Sequence, residues 1–246
     1  MKRVVRVGID ARKIGDSGIG RYLRNLLRCL LELDRESHYV LYVGRADLPA
    51  VNFDSSRVSL VVETAGKYGL KEHVSLPVKA MRERVDLFHA PHYVLPAFLP
   101  CPSVVTIHDT IHLAAPPRKP FNAAYHYAKL VMGSAVRRAR AVIVDSQYTK
   151  RDLTARFRVK ETKVNVIPLG VDPVFQPVPS DEVSAWLAAK GLPERYVLYV
   201  GNFKPHKNLL RLVRAFEPVS ARTDCALVLS GRMEDYAKAV LREVAR

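Results

Sequence analysis

The sequence has little of what marks a secreted or membrane-embedded protein. Its three cysteines, Cys29, Cys101 and Cys225, are odd in number, far apart and not spaced as metal ligands. This disfavours a disulfide scaffold, and we expect a reduced, cytoplasmic setting. No apolar run reaches the ~18 residues that a membrane span needs. The first residues, MKRVVRVGID, are expected to enter a strand directly rather than to form a signal peptide.

Two nucleotide-related motifs are also missing. No Gly-x-Gly-x-x-Gly with a following ribose-binding acid appears after Ile9 or Val200, which argues against a dehydrogenase. No basic helix is interleaved with aromatic residues, so we do not expect a nucleic-acid partner. No side chain is singled out as a protein nucleophile either.

Positive charge, by contrast, is abundant and uneven. The 246 residues carry a formal net charge of +15. Up to Pro168, 28 Lys and Arg oppose 15 Asp and Glu, giving +13, whereas the remainder has 11 against 9, giving +2. An anionic membrane surface or a diphosphate-bearing lipid acceptor fits this basic part. An arginine-rich solvated surface remains an equal alternative.

Apolar runs alternate with helix-spaced stretches along the chain, which predicts an α/β fold with parallel strands. The predicted strands are 4–9, 39–43, 58–62, 87–89, 104–107, 141–144, 164–167, 197–200 and 226–229. The predicted helices are 19–33, 72–84 with a kink or start near Pro77, 121–140, 147–157 capped by Ser146, 182–189 ended by Gly191, 209–216, and one that begins near Glu234. Strand 197–200 is short, bulky and uncharged, so it is predicted to be buried.

One strand–turn–helix stretch, Tyr196 to Phe216, is a candidate anion site. Its turn begins at Gly201, carries Lys204, His206 and Lys207, and leads through Asn208 into the helix. Free amides and the positive dipole end at a helix start attract an anion such as a phosphate. The alternative is that these lysines are only solvated.

A second candidate is the loop from Asp10 to Gly18, which leads into Gly18-Ile19-Gly20-Arg21. Small residues at a helix start let a ligand approach the backbone. The alternative is a flexible turn with an ordinary cap.

The third candidate is His108-Asp109, directly after predicted strand 104–107. The carboxyl ends of parallel strands face the ligand crevice, and an imidazole there can hydrogen-bond a sugar hydroxyl. A half-buried structural histidine is the alternative. His89, His92, His108 and His112 also invite a metal site, but no cysteine joins them and each pair straddles a strand end, so we expect none.

Five blocks in order resemble the signature blocks of the GT-B glycosyltransferases of family four: GIDARKIGDSGIGRYLRNLL, VVTIHDTIHL, VIVDSQYTKRDL, NVIPLGVD and YVGNFKPHKNLLRLVRAF. The resemblance implies two Rossmann-like domains and transfer of a hexose, mannose-like or similar, from GDP- or UDP-hexose to a glycan or lipid-linked acceptor, with retention at the anomeric carbon. It implies no cofactor and no metal. On this basis we expect an acceptor-side domain at 1–170, a linker with a connecting helix at 171–195 and a donor-side domain at 196–246.

The resemblance also implies roles for individual residues. His108 and Lys207 become catalytic candidates, and Asp109 an acceptor-side residue. The donor and its diphosphate would be bound by Gly18, Gly20, Gly201, Lys204, His206 and Asn208. Acceptor specificity in the family is built where Tyr68 and His73 lie.

Two departures from the family pattern affect these expectations. His206-Lys207 stands where many members have an Arg-Lys pair, and the chain reaches Arg246 before the family's paired-glutamate motif. We therefore expect a C-terminally truncated donor domain, completed by a second polypeptide or by a missing segment. The alternative is an inactive fragment, or a noncatalytic subunit that binds nucleotide-sugar or membrane.

Overall fold

The computed structural model describes residues 3–53, 56–113, 123–233 and 235–245. The chain forms two compact units, Met1–Asp172 and Pro173–Arg246. None of the helices in the described ranges is long and apolar enough to span a bilayer.

The first unit is built on a seven-stranded sheet in which every neighbouring pair is parallel. Its strands are β1 Arg6–Asp10, β2 His38–Gly44, β3 Val58–Glu63, β4 Leu87–Ala90, β5 Ser103–Ile107, β6 Ala141–Val144 and β7 Val164–Val166. Their order across the sheet is β3-β2-β1-β4-β5-β6-β7. The chain therefore builds outward from β1 in one direction and then from β4 in the other, so the strand order reverses between β1 and β4.

Four helices in the described part of this unit cover the sheet: α1 Gly18–Leu33, α2 Glu72–Arg82, α3 Ala123–Arg138 and α4 Gln147–Phe157. Successive β2 side chains point to opposite faces, as the strand period of two requires. Leu41 joins the cluster under α1 with Leu23 and Leu27, whereas Tyr42 joins the cluster on the other face with Met132 of α3. Both faces of the sheet are thus buried.

Two helices of this unit differ in their bounds from the prediction. The helix predicted for 72–84 begins at Glu72 and contains Pro77 in its interior, so Pro77 does not mark its start. The start predicted at Phe121 lies outside the described residues; α3 is described from Ala123.

The second unit contains α5 Ser180–Ala189, β8 Tyr196–Val200, α6 Leu209–Ser220, β9 Ala226–Ser230 and α7 Ala237–Val244. β8 and β9 pair in parallel, and Phe203, Leu209, Ala237 and Val240 form a small core with the helices. The prediction that 197–200 is buried was wrong: Val197, Leu198 and Val200 are 45%, 52% and 72% exposed. The start predicted at Glu234 lies outside the described residues.

Candidate functional site

The candidate site of the first unit lies at the carboxyl edge of the seven-stranded sheet. Because the strands are parallel, the segments that follow β1, β4, β5 and β6 emerge at one edge. The reversal of strand order between β1 and β4 opens a crevice there, which is where ligands bind to open α/β sheets. His108 and Asp109 directly follow β5 and therefore lie at this edge.

His108 is held by three neighbours from other elements. Its Nδ1 lies 2.8 Å from Oδ2 of Asp145, which follows β6, and its Nε2 lies 3.2 Å from the carbonyl oxygen of Pro91. The Tyr22 ring of α1 meets the imidazole edge-on, with ring centroids 4.8 Å apart. A carboxylate can only accept, so Asp145 keeps a proton on Nδ1 and orients the ring.

Asp145 was not singled out by the sequence. It lies 37 positions after His108, and only the pairing of β5 with β6 brings the two together. Its other carboxylate oxygen, Oδ1, is buried and has no hydrogen-bond partner among the described residues. A sequence signal did exist: Asp145 follows a strand directly, as His108 does.

A series of hydrogen-bonded polar side chains connects Tyr22, which contacts His108, to the interior of the sheet. The Tyr22 hydroxyl lies 3.2 Å from Oγ1 of Thr106, and that oxygen lies 2.8 Å from Nε2 of His89. Burial raises the pKa of Tyr22 and lowers the pKa of His89 to about 4. His89 is therefore a neutral structural histidine, and within the described residues no group of three or more His, Cys, Asp or Glu is arranged to hold a metal ion.

Asp109 is exposed and forms a local turn. Its Oδ1 accepts from the backbone N–H of Ile111 at 3.0 Å. The hydroxyl of the next residue, Thr110, donates to Asp152 on α4, and Thr149 of α4 donates to the carbonyl oxygen of His108 at 3.4 Å. The start of α4 thus fixes the backbone that carries His108, while an acceptor-side role for Asp109 stays a prediction.

The two glycines at the start of α1 have different surroundings. A Cβ on Gly20 would overlap the carbonyl oxygen of Ile14, so this glycine lets the helix pack on its own approach loop, whereas a Cβ on Gly18 would meet open space. Ser17 makes no side-chain cap, and the N–H groups of Gly18 and Ile19 have no backbone acceptor among the described residues. These amides are available to an anion.

A buried ion cluster closes the β1 side of the crevice. The Arg12 guanidinium donates to Asp10 at 2.7 and 2.8 Å and also pairs with Glu72 at the start of α2. Burial alone would lower the pKa of Arg12, but the hydrogen bonds and charges of Asp10 and Glu72 outweigh it and raise that pKa. Oε1 of Glu72 is left without a partner among the described residues. The sequence analysis missed this cluster because Glu72 is 60 positions from Arg12.

Tyr68 borders the same crevice. With Arg12, Lys13, Glu72 and His92 it lines a small pocket, and its hydroxyl lies 2.7 Å from Lys13 Nζ. Its backbone φ of 65° is in the left-handed region, which is unusual for a residue other than glycine. His73, the other acceptor-side expectation, follows Glu72 on α2 and does not line this pocket.

In the second unit, the five predicted residues lie together on the connection from β8 to α6. Gly201 follows β8 and donates its N–H to the carbonyl oxygen of Ser230 at 2.9 Å. Lys204 directly precedes a short turn, Pro205–Lys207, that contains His206 and Lys207. His206 and Lys207 are exposed. The buried side chains of Phe203 and Leu209 anchor the connection at both ends.

The start of α6 resembles the start of α1. Asn208 adopts the left-handed conformation, with φ 57° and ψ 36°, and makes no side-chain cap. Its carbonyl oxygen accepts from Arg211 and Leu212, which leaves the N–H groups of Leu209 and Leu210 without a backbone acceptor among the described residues. The amides and the neighbouring lysines form an electropositive turn that suits a phosphate group.

Comparison with known proteins relates these features to a family. Residues 17–175 match the sequence model of Glycosyltransferase Family 4. O-antigen chain mannosyltransferase B of Escherichia coli is 24% identical over 156 residues, which cover 62% of this chain and 40% of that protein. The chain thus spans less than half the length of that curated relative.

Solved structures show the same fold. HepE of Anabaena in complex with UDP-glucose has a TM-score of 0.69 at 15% identity and aligns with 98% of this chain and 65% of its own. A glycosyltransferase from Rickettsia africae has a TM-score of 0.61 at 14% identity and aligns with 100% of this chain and 65% of its own. The predicted α/β fold of GT-B type is confirmed by the parallel sheet and by these likenesses.

Proposed function

Since the chain belongs to Glycosyltransferase Family 4, we propose that it transfers a hexose from a nucleotide-sugar to a glycan or lipid-linked glycan acceptor, with retention at the anomeric carbon. The observation that carries the proposal is the positioned His108 at the crevice of the sheet, held by Asp145 and Tyr22. The UDP-glucose bound by HepE supports a nucleotide-sugar as the donor. The mannosyltransferase relative supports mannose as one candidate sugar.

The proposed transfer requires that this chain stabilise the leaving group and position the reacting sugar. The leaving nucleoside diphosphate develops negative charge, which Lys207, Lys204 and the free amides at the start of α6 would stabilise. His206 would add charge there when it is protonated, and Gly201 leaves room for the Tyr199 hydroxyl, which would lie 2.7 Å from a Cβ at this position. The amides of Gly18 and Ile19 offer a further anion contact in the first unit.

His108 would position the reacting sugar. With a proton held on Nδ1 by Asp145, the opposite nitrogen, Nε2, carries no hydrogen in the neutral ring and makes no hydrogen bond to the carbonyl oxygen of Pro91, so it can accept one from a sugar hydroxyl. The bond between the anomeric carbon and the diphosphate oxygen would then break while the acceptor hydroxyl forms the glycosidic bond on the same face. The proton of the acceptor hydroxyl would pass to the departing diphosphate oxygen, so no protein nucleophile is required. Asp109 and Tyr68 would contact the acceptor.

We further propose that the acceptor is presented at the cytoplasmic face of a membrane. The O-antigen relative supports such an acceptor. The exposed apolar side chains of β8 support the presence of further polypeptide, from the same or another chain, packed on the sheet of the second unit. Because the same exposure is expected of a subunit that acts only when packed against another polypeptide, a noncatalytic subunit that binds nucleotide-sugar is the second candidate function.

A transfer assay separates the two candidates. The protein is incubated with UDP-glucose, UDP-galactose and GDP-mannose and with membrane extracts that carry lipid-linked glycans. The proposal predicts release of nucleoside diphosphate and a new glycosidic bond of the same anomeric configuration as the donor, as read by NMR. Binding of a donor without transfer to any acceptor would favour the noncatalytic subunit, and an inverted product would contradict retention.

A further inference from the structure

The small pocket beside the carboxyl ends of β1 and β4 is lined by two residues that each carry a buried polar atom without a partner. These residues are Glu72, which is 1% exposed, and His92. Neither Oε1 of Glu72 nor Nδ1 of His92 has a hydrogen-bond partner among the described residues. Buried polar atoms are usually paired with protein, with a ligand or with ordered water. The pocket has a volume of about 20 Å³, which is room for one water molecule or one hydroxyl group.

The charges around the pocket do not favour an anion there. Each of the three cations that line it already pairs with carboxylates, and in these pairs three cations oppose four carboxylates. A phosphate group would therefore add negative charge to a set of groups in which carboxylates already outnumber cations. The pairs are Arg12 with Asp10 and Glu72, Lys13 with Asp16 at 3.6 Å, and Lys67 with Asp16 at 3.0 Å and with Asp47 at 4.0 Å.

The unpaired oxygen of Glu72 determines which group fits. As the ion-pair partner of Arg12, Glu72 is a carboxylate, and a carboxylate oxygen only accepts hydrogen bonds. Burial lowers the pKa of His92 to about 3, so its imidazole is neutral at physiological pH. Since both side chains line so small a pocket, one hydroxyl group there can donate to the carboxylate and form a second hydrogen bond with the neutral ring. We propose that this pocket seats one hydroxyl group of a neutral acceptor sugar, which donates its hydrogen to Oε1 of Glu72, an inference that rests on the proposed function.

The pocket lies beside the proposed reaction centre. Pro91 lines it, and the carbonyl oxygen of Pro91 lies 3.2 Å from Nε2 of His108. A hydroxyl group bound in the pocket would hold the acceptor next to the sugar that His108 positions. A water molecule fits the same volume, and a sugar hydroxyl that displaces it reproduces its hydrogen bonds.

Tyr68 lies where the acceptor would enter. It lines the pocket and is 43% exposed, whereas Arg12 and Glu72 are buried. Its ring meets His92 edge-on, with ring centroids 5.7 Å apart. The pocket is too small for a sugar ring, so the ring of the acceptor would lie outside it, with apolar C–H groups against Tyr68. The pocket thus selects the acceptor through one hydroxyl group, with Glu72 as the specificity-determining residue and Arg12 as the residue that positions it.

NMR titration without a donor tests the proposal. The full chain is titrated with the methyl α-glycosides of mannose, glucose and galactose and, separately, with inorganic phosphate. The Hε1 resonance of His92, assigned by its absence in His92→Gln, reports on the pocket. We expect at least one glycoside to shift this resonance saturably and phosphate at the same concentrations to leave it unchanged. One monodeoxy analogue of that glycoside should bind about tenfold more weakly or worse, because it leaves the charged oxygen of Glu72 unpaired.

Glu72→Gln should reduce this discrimination to about threefold or less, since an amide forms only a neutral hydrogen bond. The matched control is Glu63→Gln, because Glu63 is also buried and paired, with Lys79 at 3.2 Å, but does not line the pocket. It should keep the full discrimination. If Glu72→Gln does not fold, two variants of exposed Tyr68 replace it. Tyr68→Ala should weaken binding of the glycoside about fivefold through loss of the ring, whereas Tyr68→Phe, which keeps the ring, should leave it unchanged.

Several results would overturn the pocket: no shift with any of the glycosides, a shift with phosphate, or equal affinities for the glycoside and all of its monodeoxy analogues. Equal loss of discrimination in Glu72→Gln and Glu63→Gln, or equal binding by Tyr68→Ala and Tyr68→Phe, would do the same. Because the titration contains no donor, its result does not depend on transfer. A bound glycoside that receives no sugar would contradict the proposed function alone, and transfer to a glycan without any response of His92 would contradict the pocket alone.

Discussion

The pentapeptide Tyr-Val-Leu-Tyr-Val occurs twice, in β2 as Tyr39–Val43 and in β8 as Tyr196–Val200. In β2 it pairs with strands on both sides and is covered on both faces, and its residues are at most 2% exposed. In β8 the strand pairs with β9 alone among the described residues, and three of the five side chains are at least 45% exposed. The same residues thus form a strand in both units, but their burial is set by the neighbours that they find.

The largest effect is expected when the shared leucine is truncated in the first unit. Leu41 is fully buried between β1, β3 and α1, so Leu41→Ala should lower the free energy of unfolding of that unit by about 3–5 kcal/mol, through lost burial and a cavity. Urea unfolding followed by hydrogen exchange of β2 amides would measure it. A loss below about 1 kcal/mol would mean that the β2 environment is not the rigid core described above.

The next effect concerns the function proposed for the first unit. His108→Ala should lower the rate of transfer about 10²–10³-fold, because a positioned hydrogen-bonding group at the reacting sugar is lost. Asp145→Asn preserves the shape but removes the carboxylate that holds the Nδ1 proton, so it should reproduce most of this loss. Steady-state rates with saturating donor provide the measurement, with Glu36→Gln as a control at an exposed position just before β2, at the sheet edge opposite His108. Unchanged rates in both variants would contradict the role of His108.

The two units should also differ in their response to acid. The pKa of buried His89 is about 4 against an ordinary 6.5, so the unfolded chain binds the proton first as pH falls. This contribution to stability is complete above about pH 6.5 and is lost as pH falls toward 4, on the order of 3 kcal/mol in all. The second unit has one histidine, His206, which is exposed, so it has no buried histidine that would cause a comparable loss.

Hydrogen exchange at pH 7 and pH 4.5 would resolve the difference, since it reports on β5 and β8 separately. His89→Gln should reduce the pH dependence of the first unit's stability without abolishing it. His92 contributes to what remains, because burial lowers its pKa to about 3. Equal acid sensitivity in both units would contradict this assignment.

The smallest effect is expected for the counterpart of Leu41 in the second unit. Leu198 is 52% exposed, so Leu198→Ala should change the free energy of unfolding of that unit by less than about 1 kcal/mol. The comparison with Leu41→Ala is matched, because the two leucines have identical neighbours in sequence. A loss similar to that of Leu41→Ala would show that β8 is covered in solution by polypeptide absent from the described residues.

Local features of this fold were predictable and non-local ones were not. The strand Ala141–Val144 and the helix Gln147–Phe157 agree with the prediction to the residue, and the side chain of Ser146 caps that helix by accepting from the N–H of Thr149 at 3.1 Å. These features were predictable because a helix cap and a hydrophobic period depend only on residues that are close in sequence. The exposure of β8 was mispredicted, since it depends on which strands lie beside it. Sequence placed His108 at a strand end, but its partner Asp145 and the Asp10–Arg12–Glu72 cluster depend on residues brought together by strand order.

The central claim is that the connection after β8 binds the diphosphate of a nucleotide-sugar, and calorimetric titration with UDP-glucose and GDP-mannose tests it most directly. The full chain should bind at least one of them, and Lys207→Gln should weaken that binding about tenfold or more, as expected when a charged hydrogen bond is lost. Lys238→Gln, at an exposed position on α7, should leave the affinity unchanged. Absence of binding, or equal affinities for wild type and Lys207→Gln, would contradict the account.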